Sequence, residues 1–348
     1  MRVILKLSCF LAAVLMIFGP ARSQEIFRES ASVFSTGTMK AKTSKGGIRR
    51  LIIKSASDLA GELTIKTSKT DQVVVKYAKK ARTDTKSKAI DYIDLIALSL
   101  SESPQGVVLA FRAPNPAPWS EAAEAGLVNA EITLPENCAV EIYASYFDVE
   151  ASGPFSGMLI PSSLGRIEVS DVTGPVELVT YNRRVTVRQL TGEISVTTNN
   201  SIIEAYDVSG SAKFKNDGGD ISIDGMNGQL NVSNNYGRIE IDDFRAEGQK
   251  NFIRGFSGPI VIGLSFLGDA QLIALNRYED IEIVVPSDLS AMLSLAVGEQ
   301  GRIEATNLEL VSDFIETNRL NLTAGDGLGK IKGEIRGEGN IYVIGSEK

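Results

Sequence analysis

The stretch GRIEVSDVTGPVELVTYN, residues 165–182, decides the fold, because its pattern returns along the chain up to Gly248. The units begin at Gly165, Gly174, Arg183, Gly192, Ser201, Gly210, Gly219, Gly228 and Gly237, nine residues apart. In each, the third and fifth residues are apolar: Ile167/Val169, Val176/Leu178, Val185/Val187, Ile194/Val196, Ile203/Ala205, Ala212/Phe214, Ile221/Ile223, Leu230/Val232 and Ile239/Ile241. Alternate units add an apolar eighth residue (Val172, Leu190, Val208, Met226, Phe244), so the full period is eighteen. The intervening units carry turn residues there instead, such as Asn199-Asn200 and Asn234-Asn235. Alternation of this kind makes short strands with one buried face. A fixed period means that each unit buries its face only against its neighbours. The expectation is an all-β chain, a right-handed single-chain β-solenoid of about eighteen residues per coil.

Stacking at that period predicts one outward column: Glu168, Thr186, Glu204, Ser222, Glu240. Acids alternate with hydroxyls, which keeps like charges two strand spacings apart. Adjacent carboxylates would repel by about 1 kcal/mol even in water.

Residues 1–23 read as a cleaved signal peptide, with Arg2 and Lys6 before an apolar run too short to span a bilayer and Ala21-Arg22-Ser23 at the cleavage spacing. Segment 24–46 is polar, rich in Ser and Thr, and reads as flexible. The solenoid body is expected over 47–348. Its portion 47–150 is irregular but β-rich, with helical spacing at Lys86–Asp94 and a proline-rich surface loop at Ala113–Ser120 that leads into a short helix at Glu121–Ala125. Portion 151–348 holds the regular repeats and, at Gly329–Glu334 and Gly339–Ile344, two closing strands. The beat loosens beyond Gly248, although Gly301-Arg302-Ile303-Glu304 echoes Gly165-Arg166-Ile167-Glu168.

Composition removes several functions. The chain has no His, and Cys138 is the single Cys after the signal. Ser-His-Asp and Cys-His catalysis, histidine or multi-cysteine zinc sites and an intrachain disulfide are all excluded. The net charge of −7 argues against general nucleic-acid binding. Gly325–Lys330 fails as a phosphate loop at Ala324 and at Ile331, and Gly218-Gly219-Asp220 lacks the repeated Asp ligands of calcium-binding nonapeptides. No catalytic, cofactor or metal residue is assigned.

The acidic chain has a basic stretch: between Lys40 and Lys88 fourteen Lys and Arg face four acids. Lys54, Lys66, Lys76, Lys79 and Lys80 make this region a candidate contact for an anionic envelope surface, whether lipid headgroups, lipopolysaccharide or acidic glycan. The other reading is a solvated strand edge whose lysines deter aggregation.

The Gly-x-Ile-x-Val/Ile units resemble a bacterial envelope family labelled "putative adhesin", of the toast-rack group of β-solenoids. Ala130-Glu131-Ile132-Thr133-Leu134-Pro135, Ile281–Pro286 and the tail from Gly325 to Tyr342 add to the likeness, which covers about Gly47 to Ile344. The family often writes Gly-Asp at unit starts; in the regular stretch only Gly219-Asp220 keeps it. The resemblance implies an exported, non-enzymatic protein of the periplasm, outer membrane or cell surface, with a structural, adhesive or sensing role. The alternative is a polysaccharide-cleaving enzyme that uses a carboxylate pair, with Glu168, Glu204 and Glu240 as candidates.

Overall fold

The computed structural model describes residues 25–346, apart from 44–45, 104–105, 121–122, 249 and 317. The signal peptide therefore lies outside the described residues. The rest is nearly all β, with one short helix.

The first part contains β1 (Ile26–Arg28), β2 (Val33–Thr36), β3 (Met39–Lys42), β4 (Arg50–Ser55), β5 (Leu59–Ser68), β6 (Val74–Arg82), α1 (Lys86–Leu95), β7 (Ala97–Ser103), β8 (Gly106–Arg112) and β9 (Ala125–Pro135). The middle contains β10 (Ala139–Tyr143), β11 (Tyr146–Phe155), β12 (Gly157–Ser163), β13 (Ile167–Thr173), β14 (Val176–Thr180), β15 (Val185–Thr197), β16 (Ile203–Gly218), β17 (Ile221–Tyr236), β18 (Ile239–Ala246), β19 (Lys250–Arg254) and β20 (Ile260–Phe266). The last part contains β21 (Gln271–Asn276), β22 (Ile281–Pro286), β23 (Ala291–Ala296), β24 (Ile303–Thr306), β25 (Leu310–Glu316), β26 (Arg319–Ala324), β27 (Gly329–Ile335) and β28 (Ile341–Ser346).

Two parallel ladders run through the middle. In one, Val149 pairs with Ile167, then Val185, Ile203, Ile221 and Ile239 follow in turn. In the other the sequence is Val140, Met158, Val176, Ile194, Ala212 and Leu230. Each step is eighteen residues. The inward residues of both ladders are buried in one hydrophobic cluster, together with Val172, Leu190, Val208, Met226 and Phe244.

Two features hold the rung shape. Asp171, Gln189, Asp207, Gly225 and Asp243 stand one above another, all in the left-handed backbone region. Short polar residues tolerate that region, and there they bend each strand. A buried polar column occupies a second corner: Thr180, Thr198, Asn216 and Asn234. Asn216 donates through Nδ2 to Ser201 O at 2.6 Å and Gly219 O at 3.1 Å, and its Oδ1 accepts from Thr198 at 2.7 Å. These bonds satisfy corner carbonyls that would otherwise be buried unpaired.

Beyond Ile239 the beat lengthens rather than dissolving. Ile239 pairs with Ile260, Ile260 with Ile281, and Lys250 with Gln271, a step of twenty-one residues. At both ends the spatial order departs from the chain order. β4 and β5 lie between β8–β9 and β10–β11. β27 and β28 lie between β21–β22 and β23–β24. The closing strands of the sequence are therefore interior, and the antiparallel strands β26 and β25 cover β23 beyond them.

Two local expectations are corrected and a third is met. Segment 24–46 is not loose over its described residues: β2 and β3 pair antiparallel with β6, and β1 with β2. Its Ser35, Thr36 and Thr43 are buried, and the hydroxyls of Thr36 and Thr43 accept from the amides of Lys79 and Val73 at 3.1 Å each, pairings that composition alone reads as loop. Ala125 opens β9, and Ala123 and Glu124 are not helical. The helix expected at Lys86–Asp94 is α1, which buries Ala89, Tyr92 and Ile93. In the proline-rich loop Trp119 is buried; it donates through Nε1 to Asp58 O at 2.7 Å and meets Tyr92 edge-on at 5.3 Å.

A charged groove at the N-terminal end

Val73 and Val75 are buried, so β6 keeps its odd-numbered residues toward the core and its even-numbered residues outward. It runs antiparallel to β9, with Lys76 opposite Glu131, Ala78 opposite Asn129 and Lys80 opposite Leu127. On its other edge Ser35 of β2 faces Lys80, and Phe27 of β1 faces Ser35. These strands and β5 form a groove of about 610 Å³. Small side chains such as Ser35, Thr64 and Ala78 line it, together with Phe27, Glu29, Glu62, Lys66, Lys76, Lys80 and Glu131.

Three lysines thus meet three carboxylates. Lys80 Nζ lies 3.0 Å from Glu29 and Lys76 Nζ 3.5 Å from Glu131. Glu62 accepts from Asn129 Nδ2 at 2.8 Å. Exposed pairs of this sort contribute about 0–1 kcal/mol each, so they organise charge more than they stabilise the fold. Lys66 is exposed and has no ion pair among the described residues. Glu62, on the same strand, has none either, so these are the two groove charges left outside its ion pairs.

The other two lysines of the expected contact stand elsewhere. Lys79 has the inward parity of β6: its Nζ donates to Ile93 O at 3.2 Å beneath α1, and burial lowers its pKa against the opposing pull of Asp94. Lys54 is exposed on β4, in the ladder that contains β8 and β10. Farther along, Glu124 accepts from Tyr92 Oη, from Thr83 Oγ1 at 2.8 Å and from Lys88 Nζ at 3.1 Å. Those bonds, the one from Tyr92 foremost, hold its carboxyl down at about 2. The same contact with Glu124, helped by Asp84, raises the pKa of Lys88. The basic stretch is therefore divided between the groove, the underside of α1 and this clasp.

The carboxylate column stands as expected, with Glu168 beside Thr186, Glu204, Ser222 and Glu240 in turn. Arg184 binds Glu204 at 2.7 Å, Thr186 donates to Glu204 at 3.1 Å, and Arg238 binds Glu240 at 3.1 Å. Neither the groove nor a second recess of about 390 Å³ includes any of the three glutamates. That recess lies beside the left-handed column, at Asp207, Gly225, Asp243 and Arg245. The nearby Asp242 carboxyl is pushed up by burial and by Glu240 and Asp224. Among the described residues no group of three His, Cys, Asp or Glu is arranged to hold a metal. Cys138 is buried, its Sγ lies 3.1 Å from Ile48 O, and its thiol is pushed up to about 11, so little of it is thiolate at neutral pH.

Sequence reading missed an aromatic row at one corner, where Tyr236, Phe256 and Tyr278 meet edge-to-face at 6.1 and 5.6 Å. The row lies past the regular beat: Ser257 bridges Tyr236 and Tyr278 at twenty-one-residue steps, and Phe256 is one residue out of that register.

No family model matches the sequence, and no curated protein does. Solved structures do align with it. One is a putative cell adhesion protein from Clostridium sporogenes, at 12% identity over 89% of this chain and 99% of that one, with a TM-score of 0.23. A putative adhesin from Bacteroides fragilis aligns at 11% identity over 88% and 96%, with a TM-score of 0.28. Another, from Parabacteroides distasonis, aligns at 9% identity over 88% and 96%, with a TM-score of 0.25. Among the described residues no helix is long and apolar enough to cross a membrane.

Proposed function

We propose that this chain is an exported, non-enzymatic binding module of the bacterial cell envelope. In this reading its two ladders are faces of a right-handed β-solenoid of about eighteen residues per coil in the middle. Its ligand is an acidic glycan held in the N-terminal groove. The observation that carries the reading is Lys66, an exposed cation without an ion pair among the described residues, which stands beside two lysine–glutamate pairs within the groove. A carboxylate or phosphate on a sugar would pair with it, and Glu62, Thr64 and Asn129 offer acceptors and donors for hydroxyls alongside. Phe27, 48% exposed, gives the wall an apolar patch for a sugar ring. A bilayer surface is flat and meets a concave groove poorly, which favours a polymer over lipid headgroups.

The test is titration of the protein with a uronic-acid oligosaccharide, its neutral counterpart and anionic vesicles. Binding of the acidic sugar should weaken roughly tenfold to a hundredfold in Lys66→Glu, as expected for loss of a charge-assisted bond. Lys54→Glu, outside the groove, should leave it unchanged. Equal binding of the neutral sugar, equal loss in the two variants, or binding confined to vesicles would overturn the assignment.

A further inference from the structure

The interposed strands β27 and β28 carry an inference that is independent of the groove. Gln271 pairs with Lys330, and Lys330 on its other side with Met292. Met292 lies twenty-one residues after Gln271, the same step that takes Lys250 to Gln271. Likewise Ile281 pairs with Ile341, which pairs with Ile303, twenty-two residues beyond Ile281. The rhythm of the chain therefore passes straight from β21–β22 to β23–β24, while in space another coil stands between them.

Removing that coil would leave β23–β24 matched to β21–β22. Leu272 would meet Leu293, Ala274 would meet Leu295, Ile281 would meet Ile303, and Ile283 would meet Ala305. The first member of each pair is buried, as are Leu293 and Leu295, while Ile303 and Ala305 pack against the core. A slip by one residue would turn every side chain to the wrong face, and this register needs no slip. β23 would also keep β26 on its far side. The coil is joined to β26 by Gly325–Leu328, where Gly325 and Gly327 have positive φ and Leu328 is 64% exposed. Ser290 pins this link by accepting at Oγ from the Asp326 and Leu328 amides, at 3.1 and 3.3 Å.

We propose that β27–β28 is an exchangeable coil, through which two copies of this chain join by reciprocal donation. Within one chain β27–β28 already has to enter between strands that precede it and that match each other without it. The slot recognises a register and an apolar pattern, and the coil of a second copy presents both. Closure of β23–β24 onto β21–β22 covers the apolar column while a coil is out, which lowers the cost of exchange. Two copies joined at their C-terminal ends would hold their grooves at opposite poles, an arrangement suited to two sites on one polymer.

The test uses full-length single variants Gln271→Cys, Lys330→Cys and Met292→Cys, with the buried Cys138 left in place. Gln271 and Lys330 are direct cross-strand partners, within disulfide reach at about 4.4–6.8 Å between Cα atoms. Gln271 and Met292 are two strand spacings apart, about 9.6 Å, in either the single or the joined form. Equal mixtures are warmed below the melting transition and then oxidised. Gln271→Cys mixed with Lys330→Cys should give a disulfide-linked species of twice the monomer mass, well above the yield from Gln271→Cys mixed with Met292→Cys. The double variant Gln271→Cys/Lys330→Cys should cross-link within one chain, which establishes that the cysteines are competent. Equal yields from the two mixtures, with that internal cross-link intact, would overturn the proposal.

Discussion

Between Ile167 and Ile241 every strand meets its neighbour in the same way, whereas between Ile26 and Pro135 few do. In the middle, a residue's partner is found by adding eighteen, and each outward position becomes a column of like geometry. Repetition of that kind makes straight faces. At the N-terminal end β6 turns antiparallel, β1 to β3 line its free edge and α1 covers the core beside it. There strands from different parts of the chain meet at unequal lengths, and there the larger groove lies. Regularity supplies the length of this molecule, and departure from it supplies the larger of its two recesses.

The sharpest way to break that contrast is to put a charge on each side of one middle strand. Ile221 is fully buried and Ser222 half-buried on the outward column. Ile221→Asp should cost about 4 kcal/mol or more by urea denaturation, against about 1 kcal/mol or less for Ser222→Asp. Similar losses would mean that the two faces are wrongly assigned.

A smaller effect should separate middle from end. Gly210 has φ of +110°, and a Cβ there would lie 2.3 Å from Gly192 O, the backbone of the rung below. Gly37, between β2 and β3, has no atom within 4 Å of such a Cβ. Gly210→Ala is expected to destabilise by about 2–3 kcal/mol and Gly37→Ala by about 0.5 kcal/mol at most. If Gly37→Ala proved as damaging, the N-terminal end would be packed as tightly as the middle.

The smallest effect is visible mainly in its dependence on pH. Glu124 titrates at about 2 in the folded chain against its ordinary 4.5, so the unfolded chain holds the extra proton between those values. Its contribution to stability is present above about pH 4.5 and drains away as pH falls toward 2. The stability gap between wild type and Glu124→Gln should therefore narrow from pH 6 to pH 3 in denaturant titrations. A gap independent of pH would mean that the clasp with Tyr92, Thr83 and Lys88 is not ionic.

Much of the middle was legible because strand alternation and stacking are both periodic in number, so Ile203 or Phe244 can be placed by counting. Lys79 shows where counting stops. It stands among outward-looking lysines in sequence, but Val75 and the antiparallel pairing to β9 give it the inward parity. The coil at β27–β28 is instructive in the opposite sense. Ile303 was recognisable as an echo of Ile167, but sequence order carries no information on which of two compatible coils lies nearer the middle. The groove was hidden for a related reason, since Phe27, Lys66 and Glu131 become neighbours only through pairings remote in the chain.

The column at Asp171, Gln189, Asp207, Gly225 and Asp243 has a consequence for how this molecule can change size. Each member bends its own strand in the same place, so a rung carries all the instructions for its shape within eighteen residues. Loss or duplication of one such segment between Val185 and Ile239 would leave every other pairing in phase, whereas a change of any other length would put the two ladders out of step. Such a chain grows in whole units, each moving the two ends apart by one strand spacing, about 4.8 Å. The middle acts as a ruler, and its graduations can be added or removed without rebuilding what stands at either end.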